Sequence, residues 1–359
     1  LGSMSQAKPT LSVLDLVPVS QGRSRSQALR EMVLLAQSAE RAGYARYWLA
    51  EHHGSTTFLS SATTVLMGQV LAATESITVA SGGVMLPNHA PLVVAEAVGT
   101  LATMYPGRVE VGLGRAPGTD PVTARALRRR EADPASFVDE VTELADYLAA
   151  NDSLFETLPG SVAAQTSAHD VAWVASSRAR ALPGEGTNPP LWILGSSVNG
   201  ARVAGRLGLG FAVAAHFAPA QAEAAVMAYR SVFNGASDYA QASHPRTAAA
   251  FNVVVAPTDE EAQYLATTAR AANARIVAGR PGPLDEPTSD PEAWRALAGE
   301  RASMVDDSLA YFFVGTPQRV AAQLHEMAQR WELEDIICLS FIHDAAARRR
   351  SYELLAQAW

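Results

Sequence analysis

The sequence predicts a single (β/α)8 TIM barrel over residues 11–359, on three observations. Eight short apolar runs of strand length alternate with longer segments of helical period, the pattern of parallel strands joined by crossover helices. The chain has 359 residues, a length that suits one large barrel with insertions. Apolar residues make up 48% of it, enough for a sizeable core.

"LSVLDLV" (11–17) is the first strand, and in the segment 26–42 that follows, Leu29, Met32, Val33 and Ala36 recur at helical spacing. Gly43 stands where such a helix would stop. "YARYWLA" (44–50) is the second strand, with a helix from about 60 to 74, and "ITVASGG" (77–83) the third, with a helix after Pro91. "RVEVGLG" (108–114) is the fourth, followed by helices through 149. "LWILG" (191–195), "LGFAVAA" (209–215), "FNVVVA" (251–256) and "DIICLS" (335–340) complete the eight. Two segments break the rhythm and read as insertions, about 151–190 and 280–310. The second carries "RPGPLDEPTSDPEAW", and the Pro, Gly and Asp content from Arg280 to Glu300 predicts a mobile cover rather than a fixed element. Residues 1–10 read as a tail, with "LGSM" an expression scar ahead of a natural start at Met4 and no secretory signal after it.

Composition excludes several function classes. A net charge of -8 and no long basic run argue against nucleic acid and anionic membrane as partners. Cys338 is the only cysteine, so there is no internal disulfide and no cysteine metal cluster, which fits a cytoplasmic protein. No apolar stretch is long enough to span a bilayer. Lys8, in the tail, is the only lysine. Pyridoxal phosphate and Schiff-base chemistry need a buried one.

In a barrel the chemistry gathers at the carboxyl ends of the strands, and those positions hold two kinds of group. Gly195, Ser196 and Ser197 lie between the fifth strand and a helix beginning near Asn199, where free N–H groups and a hydroxyl suit an anion. Arg115, from the neighbouring strand, can close on the same anion with a bidentate fork. Alternatively, Ser197 only caps its helix and Arg115 meets a surface carboxylate; the two together on adjacent strands favour a phosphate. "GLGRAPG" is no dinucleotide fingerprint, because Pro117 interrupts the turn and the glycine spacing differs.

The second group is ionisable: Glu51, His52 and His53 end the second strand and His216 the sixth. The third, fourth and fifth strands end without carboxylates, so no metal is expected. A histidine in a dry pocket beside a carboxylate is instead a general acid or base. His52 and Glu51 are the catalytic candidates; His53, which should point away from His52, and His216 are pocket candidates. Gly82 and Gly83, at the third strand's end, would let a flat ligand approach the backbone. A phosphate clamp, a flat wall and a histidine suit flavin mononucleotide.

"YWLAEHH", "SGGVMLP", "YPGRVEVGLGRAPG" and "LWILGSS" stand in the order and spacing of the bacterial luciferase-like flavin monooxygenases, and the chain resembles the non-luminescent subgroup of that family. The likeness covers nearly all of the chain and is weakest in the two insertions. It implies a barrel that uses reduced FMN and O2, forms a homodimer or a luciferase-like pair through the helices after strands two and three, and oxygenates a small apolar substrate through a flavin C4a-hydroperoxide. By the same resemblance His52 is the base beside the flavin, Glu51 its acidic neighbour, and Gly82 and Gly83 the site of a non-proline cis peptide. Arg115 and Ser196 are implied as phosphate contacts. Gly114 stands where light-emitting members carry a cysteine, which speaks against luminescence. A preference for Ala and Arg suits a GC-rich genome and a secondary-metabolite substrate such as an aromatic polyketide. With no nicotinamide fingerprint in the chain, a separate NAD(P)H:flavin reductase is the expected partner. A deazaflavin-dependent dehydrogenase and a non-catalytic flavin-binding protein are the rival readings.

Overall fold

A computed structural model describes residues 8–130, 133–149 and 179–359. Most of the insertion expected at 151–190, and residues 1–7 of the tail, lie outside the described residues. The strands are β1 (Thr10–Asp15), β2 (Arg46–Leu49), β3 (Thr78–Met85), β4 (Val109–Gly114), β5 (Leu191–Gly195), β6 (Gly210–Val213), β7 (Thr247–Val255), β8 (Phe312–Gly315) and β9 (Asp335–Leu339). All pairings between them are parallel, in the order β6-β5-β4-β3-β2-β1-β9-β7-β8, and β6 also pairs with β7. That last pairing closes an eight-stranded barrel, as the sequence pattern predicts. The helices are α1 (Arg25–Ala42), α2 (Thr63–Ala73), α3 (Pro91–Met104), α4 (Pro121–Ala126), α5 (Pro134–Leu148), α6 (Val198–Leu207), α7 (Ala222–Ser231), α8 (Asp259–Val277), α9 (Trp294–Ala298), α10 (Ala302–Ser308), α11 (Pro317–Trp331) and α12 (Ala345–Ala358). Among the described residues no helix is long and apolar enough to cross a membrane.

Alternation along each strand sorts side chains to two faces. Val13, Tyr47, Leu49, Val79, Val111, Ile193, Phe211 and Cys338 face outward into the layer shared with the helices. Leu14, Trp48, Ala80, Trp192, Ala212, Ala250 and Ile337 fill the barrel interior. Below them the floor is polar: Arg46 Nε lies 2.8 Å from a Glu110 oxygen and Arg46 Nη1 3.7 Å from Asp335, while the Ser12 hydroxyl donates to Asp335. The Trp192 indole donates to Glu110 at 2.7 Å. A closed floor and a Trp48–Trp192 plug, ring centroids 5.5 Å apart, leave the carboxyl-end mouth as the interior's accessible side.

Two expectations are corrected. The sequence reading has no strand at 312–315, yet β8 is there. It pairs with β7 from Asn252 onward, and Asn252 also pairs with Leu339 of β9, so β8 lies on the β7 edge where β6 has ended. The segment 280–310 is not structureless either. Trp294, Ala298 and Val305 pack with Ala274 of α8, Asp285 is ion-paired to Arg275 at 2.6 Å, and Leu284 is fully buried. Its start is sewn to the β2 loop by hydrogen bonds from Thr56 to Pro281 O and from Thr57 to Gly282 O at 2.7 Å. The cue to order is apolar: Leu284 and Trp294 each find a core position that composition does not reveal.

Candidate active site at the carboxyl end of the barrel

The parity of β2 decides where its loop residues point. Trp48 and Ala50 face the interior, and the ring of His52, two residues further, packs at 5.4 Å against Phe58, which itself stacks at 5.5 Å on Phe341. Burial holds the His52 imidazole below the usual histidine range, against the opposing pull of the Glu51 charge. His216, at the end of β6, shares the mouth. Burial, with a smaller repulsion from His52, pushes its pKa down to about 3, so it is neutral at any ordinary pH. The Asn252 amide donates to the His216 carbonyl, and the buried His216 Nδ1 has no hydrogen-bond partner among the described residues. Trp48 Nε1 is a second such buried polar atom.

Glu51 and His53 turn the other way. The expected acid–base pair of Glu51 with His52 is not built: Glu51 Oε1 lies 2.6 Å from His53 Nε2 and 2.9 Å from His89 Nε2. It also accepts from Asn88 Nδ2 at 3.0 Å, and Oε2 accepts from the Met85 amide at 2.7 Å. Burial pushes the Glu51 carboxyl up, but bonding to His89 and its charge, with Asn88 and His53, hold it below the ordinary value. Glu51 therefore acts on His52 through its field, and His53, expected in the pocket, is committed to Glu51. The sequence reading assigned nothing to Asn88 and His89; their only signal is a polar pair just beyond a strand end. Glu51, His53 and His89 bring three ligand-type atoms within 4.8 Å. Tetrahedral ligands at zinc distances stand about 3.3 Å apart, so the separations from Glu51 Oε1 are those of hydrogen bonds.

The peptide joining Gly82 and Gly83 is cis. A Cβ on Gly82 would lie 2.9 Å from Trp48 Cβ, and one on Gly83 2.9 Å from the Gly112 carbonyl and nearer still to Leu194. Protein packing alone thus requires both glycines, whatever lies above them. At Gly114 a Cβ would come within 2.8 Å of the Met85 sulfur.

Gly114 of β4 is in register with Leu194 of β5, which sets Arg115 beside Gly195. Ser197 caps α6, its hydroxyl accepting from the Gly200 amide at 3.2 Å. The Arg115 guanidinium and the Ser196 hydroxyl have no hydrogen bond or ion pair with any described residue. Its chain neighbours aside, no described residue has an atom within 4 Å of where a Cβ on Gly195 would stand. A cation and a hydroxyl without partners among the described residues thus meet a helix amino end on neighbouring strands.

Comparisons with known proteins agree with this arrangement. A family model described as luciferase-like monooxygenase matches residues 10–332. Over 359 residues the chain is 42% identical to the Bacillus subtilis protein YvbT, covering 99% of each. It is 36% identical to a luciferase-like monooxygenase of Escherichia coli over 98% of this chain and 97% of that one. Among solved structures, apo-MsnO8 matches with a TM-score of 0.78 and 33% identity over 98% of both chains. The oxygenating constituent of 3,6-diketocamphane monooxygenase from Pseudomonas putida, in complex with FMN, matches at 0.68 and 18% over 98% of this chain and 97% of that one. An F420-dependent secondary alcohol dehydrogenase matches at 0.64 and 15% over 98% of both. The last two likenesses are of fold alone. With the model spanning nearly the whole barrel and relatives this similar end to end, the chain belongs to the luciferase-like monooxygenase family.

Proposed function

We propose that this protein is a two-component monooxygenase that takes reduced FMN and O2 and oxygenates a small apolar substrate. The observation that carries the reading is the meeting, at one barrel mouth, of Arg115 and Ser196, neither of them paired with a described residue, with His52 and His216, which stand close enough for one to lower the pKa of the other. The residues fit the cofactor: Arg115, Ser196 and the amino end of α6 would hold its phosphate, and the buried atoms His216 Nδ1 and Trp48 Nε1 await polar partners. Reduced FMN bound there would supply the electrons that activate O2. The chain's own part is to exclude water and handle protons. Phe58, Phe341, Leu16 and Leu194 provide apolar walls, and they favour a flat, uncharged substrate. His52, neutral at pH 7 because burial lowers its pKa, can accept a proton on a ring nitrogen, and the Glu51 charge favours the protonated form. The FMN complex of the diketocamphane enzyme supports the cofactor by analogy of fold.

A homodimer is part of the reading. α2 carries no charged residue, α3 only Glu96, and Val65, Val93 and Met104 are exposed on them. Helices this apolar on their solvent side suit a partner's surface.

The chain shows no nicotinamide fingerprint, so electrons should arrive as free reduced FMN made by a separate reductase. With FMN and NADH, the purified protein should consume almost no O2 until an NADH:flavin reductase is added; rapid NADH oxidation by the chain alone would overturn the two-component reading. The dehydrogenase neighbour favours a second reading, a deazaflavin enzyme that moves hydride and ignores oxygen. Anaerobic reduction of an F420-type deazaflavin by a secondary alcohol would establish it in place of the first.

A further inference from the structure

Arg129, at the end of the loop that follows α4, lies within the fields of Glu140 and Glu51 without closing an ion pair on either. Its guanidinium makes no ion pair with a described carboxylate. Instead Nη2 donates to the Arg115 carbonyl, and Nη1 to the Ala116 carbonyl at 3.3 Å and to Asn88 Oδ1 at 2.8 Å. Asn88 passes the link on, donating through Nδ2 to the Pro117 carbonyl and to Glu51 Oε1, each at 3.0 Å. The next residue adds a backbone tie, from the Arg130 amide to the Pro87 carbonyl at 3.1 Å. The loops after β2, β3 and β4 are thus clasped at one point, and the carbonyls under the fork belong to Arg115 and its successor.

That backbone needs holding. After β4 the chain runs through Arg115, Ala116 and Pro117 before α4, and Ala116 and Pro117 are exposed. The Arg115 side chain has no described partner to fix it. Charge-assisted hydrogen bonds from a planar fork are directional and strong compared with neutral ones. They can set the base from which Arg115 reaches without meeting the ligand.

We propose that Arg129 is a positioning residue for the cofactor's phosphate, holding the Arg115–Pro117 backbone so that the Arg115 guanidinium stands over the amino end of α6. The inference rests on the reading of Arg115 as the phosphate-binding cation. It assigns Arg129 no contact with the flavin ring and no part in proton transfer.

The test is a flavin titration of wild type, Arg115→Ala, Arg129→Ala, Arg129→Lys and the Arg115→Ala/Arg129→Ala double variant, each with FMN and with riboflavin, which lacks the phosphate. Arg129→Ala should weaken FMN about tenfold, the scale of one charge-assisted contact, and leave riboflavin within about twofold. Arg129→Lys keeps the charge and the chain's fold but not the fork, and should lose nearly as much. The double variant should bind FMN no more weakly than Arg115→Ala. Equal losses for both flavins would reduce Arg129 to general stability, full FMN affinity in Arg129→Lys would make it a mere charge, and additive losses would make it a direct ligand; each overturns the proposal. If Arg115→Ala itself fails to separate FMN from riboflavin, the phosphate reading of Arg115 falls, and this proposal with it. If Arg115→Ala separates them and Arg129→Ala does not, only the proposal falls.

Discussion

His52 and His216 stand near each other at the barrel mouth with different capacities. His52 is depressed by burial yet has the Glu51 charge in its favour, so it can cycle a proton. His216 is pushed to about 3 and stays a neutral donor or acceptor. We expect His52→Ala to fold and to bind FMN within about threefold of wild type, because its ring packs on Phe58 at the rim rather than in the core. In reductase-coupled turnover it should release more hydrogen peroxide per O2 consumed. Unchanged peroxide yield would remove His52 from the proton chemistry. His216 leads to a stability prediction. An unfolded histidine binds a proton below about pH 6.5, whereas folded His216 binds one only near pH 3. Between those limits the unfolded state holds more protons, so stability must rise with pH across the window and fall on acidification. The lowered pKa of His52 acts in the same direction, whereas the lowered pKa of Glu51 acts only below about pH 4.5. Urea midpoints from pH 7 to 5 should therefore drop in wild type and drop less in His216→Asn. Parallel curves would show that His216 titrates as an ordinary histidine.

Among the elements, the 280–310 segment is the one whose behaviour departs most from its composition. Pro and Gly deny it regular structure at its start, yet the Thr57 hydroxyl, on a buried side chain, bonds Gly282 O, and Leu284 forms backbone hydrogen bonds with Val19 and Gln21. The tether runs to the loop that carries Phe58 and follows His52, so loosening one end loosens the pocket wall. Thr57→Val keeps the shape and removes the donor, leaving a carbonyl unpaired at a cost of about 1–2 kcal/mol. Amide exchange at Leu284 and Gln21 should then speed up by roughly tenfold, a factor that corresponds to 1.4 kcal/mol, while amides of β1 keep their protection. Unaltered exchange at those two amides would mean that Leu284 packing alone pins the segment.

At the scale of the molecule, the barrel presents α2 and α3 as a face almost without charge, while α8 and α11 are well supplied with Glu and Arg. A monomer gains nothing from that asymmetry, and an isologous dimer would bury it. Val65→Glu puts a charge at an exposed position, 62% accessible in the single chain. It should leave the monomer's fold intact and convert a dimer to monomer in light scattering. Unchanged mass would place the interface elsewhere. The closed polar floor and the Trp48–Trp192 plug leave the carboxyl-end mouth as the one accessible side of the interior among the described residues, so the proposed cofactor and substrate would share it.

Short-range pattern was enough for much of this. Strand and helix positions follow from periods of two and 3.6, and the same alternation is why His53 is expected to point away from His52. Gly82, Gly83, Arg115 and Ser196 stand out because strand ends are few and local composition marks them. The rest depends on how the barrel closes. His89 reaches Glu51 from 38 residues away, and Arg129 reaches the Arg115 carbonyl from 14, through loop paths that no periodicity encodes. β8 fits only because β7 outlasts β6 on their shared edge, and the segment at 280–310 is ordered only because Leu284 and Trp294 meet cavities made by other elements. A side chain's facing is a local property of the strand it sits on. Its partner is a property of register and closure, which exist only once the distant strands have paired.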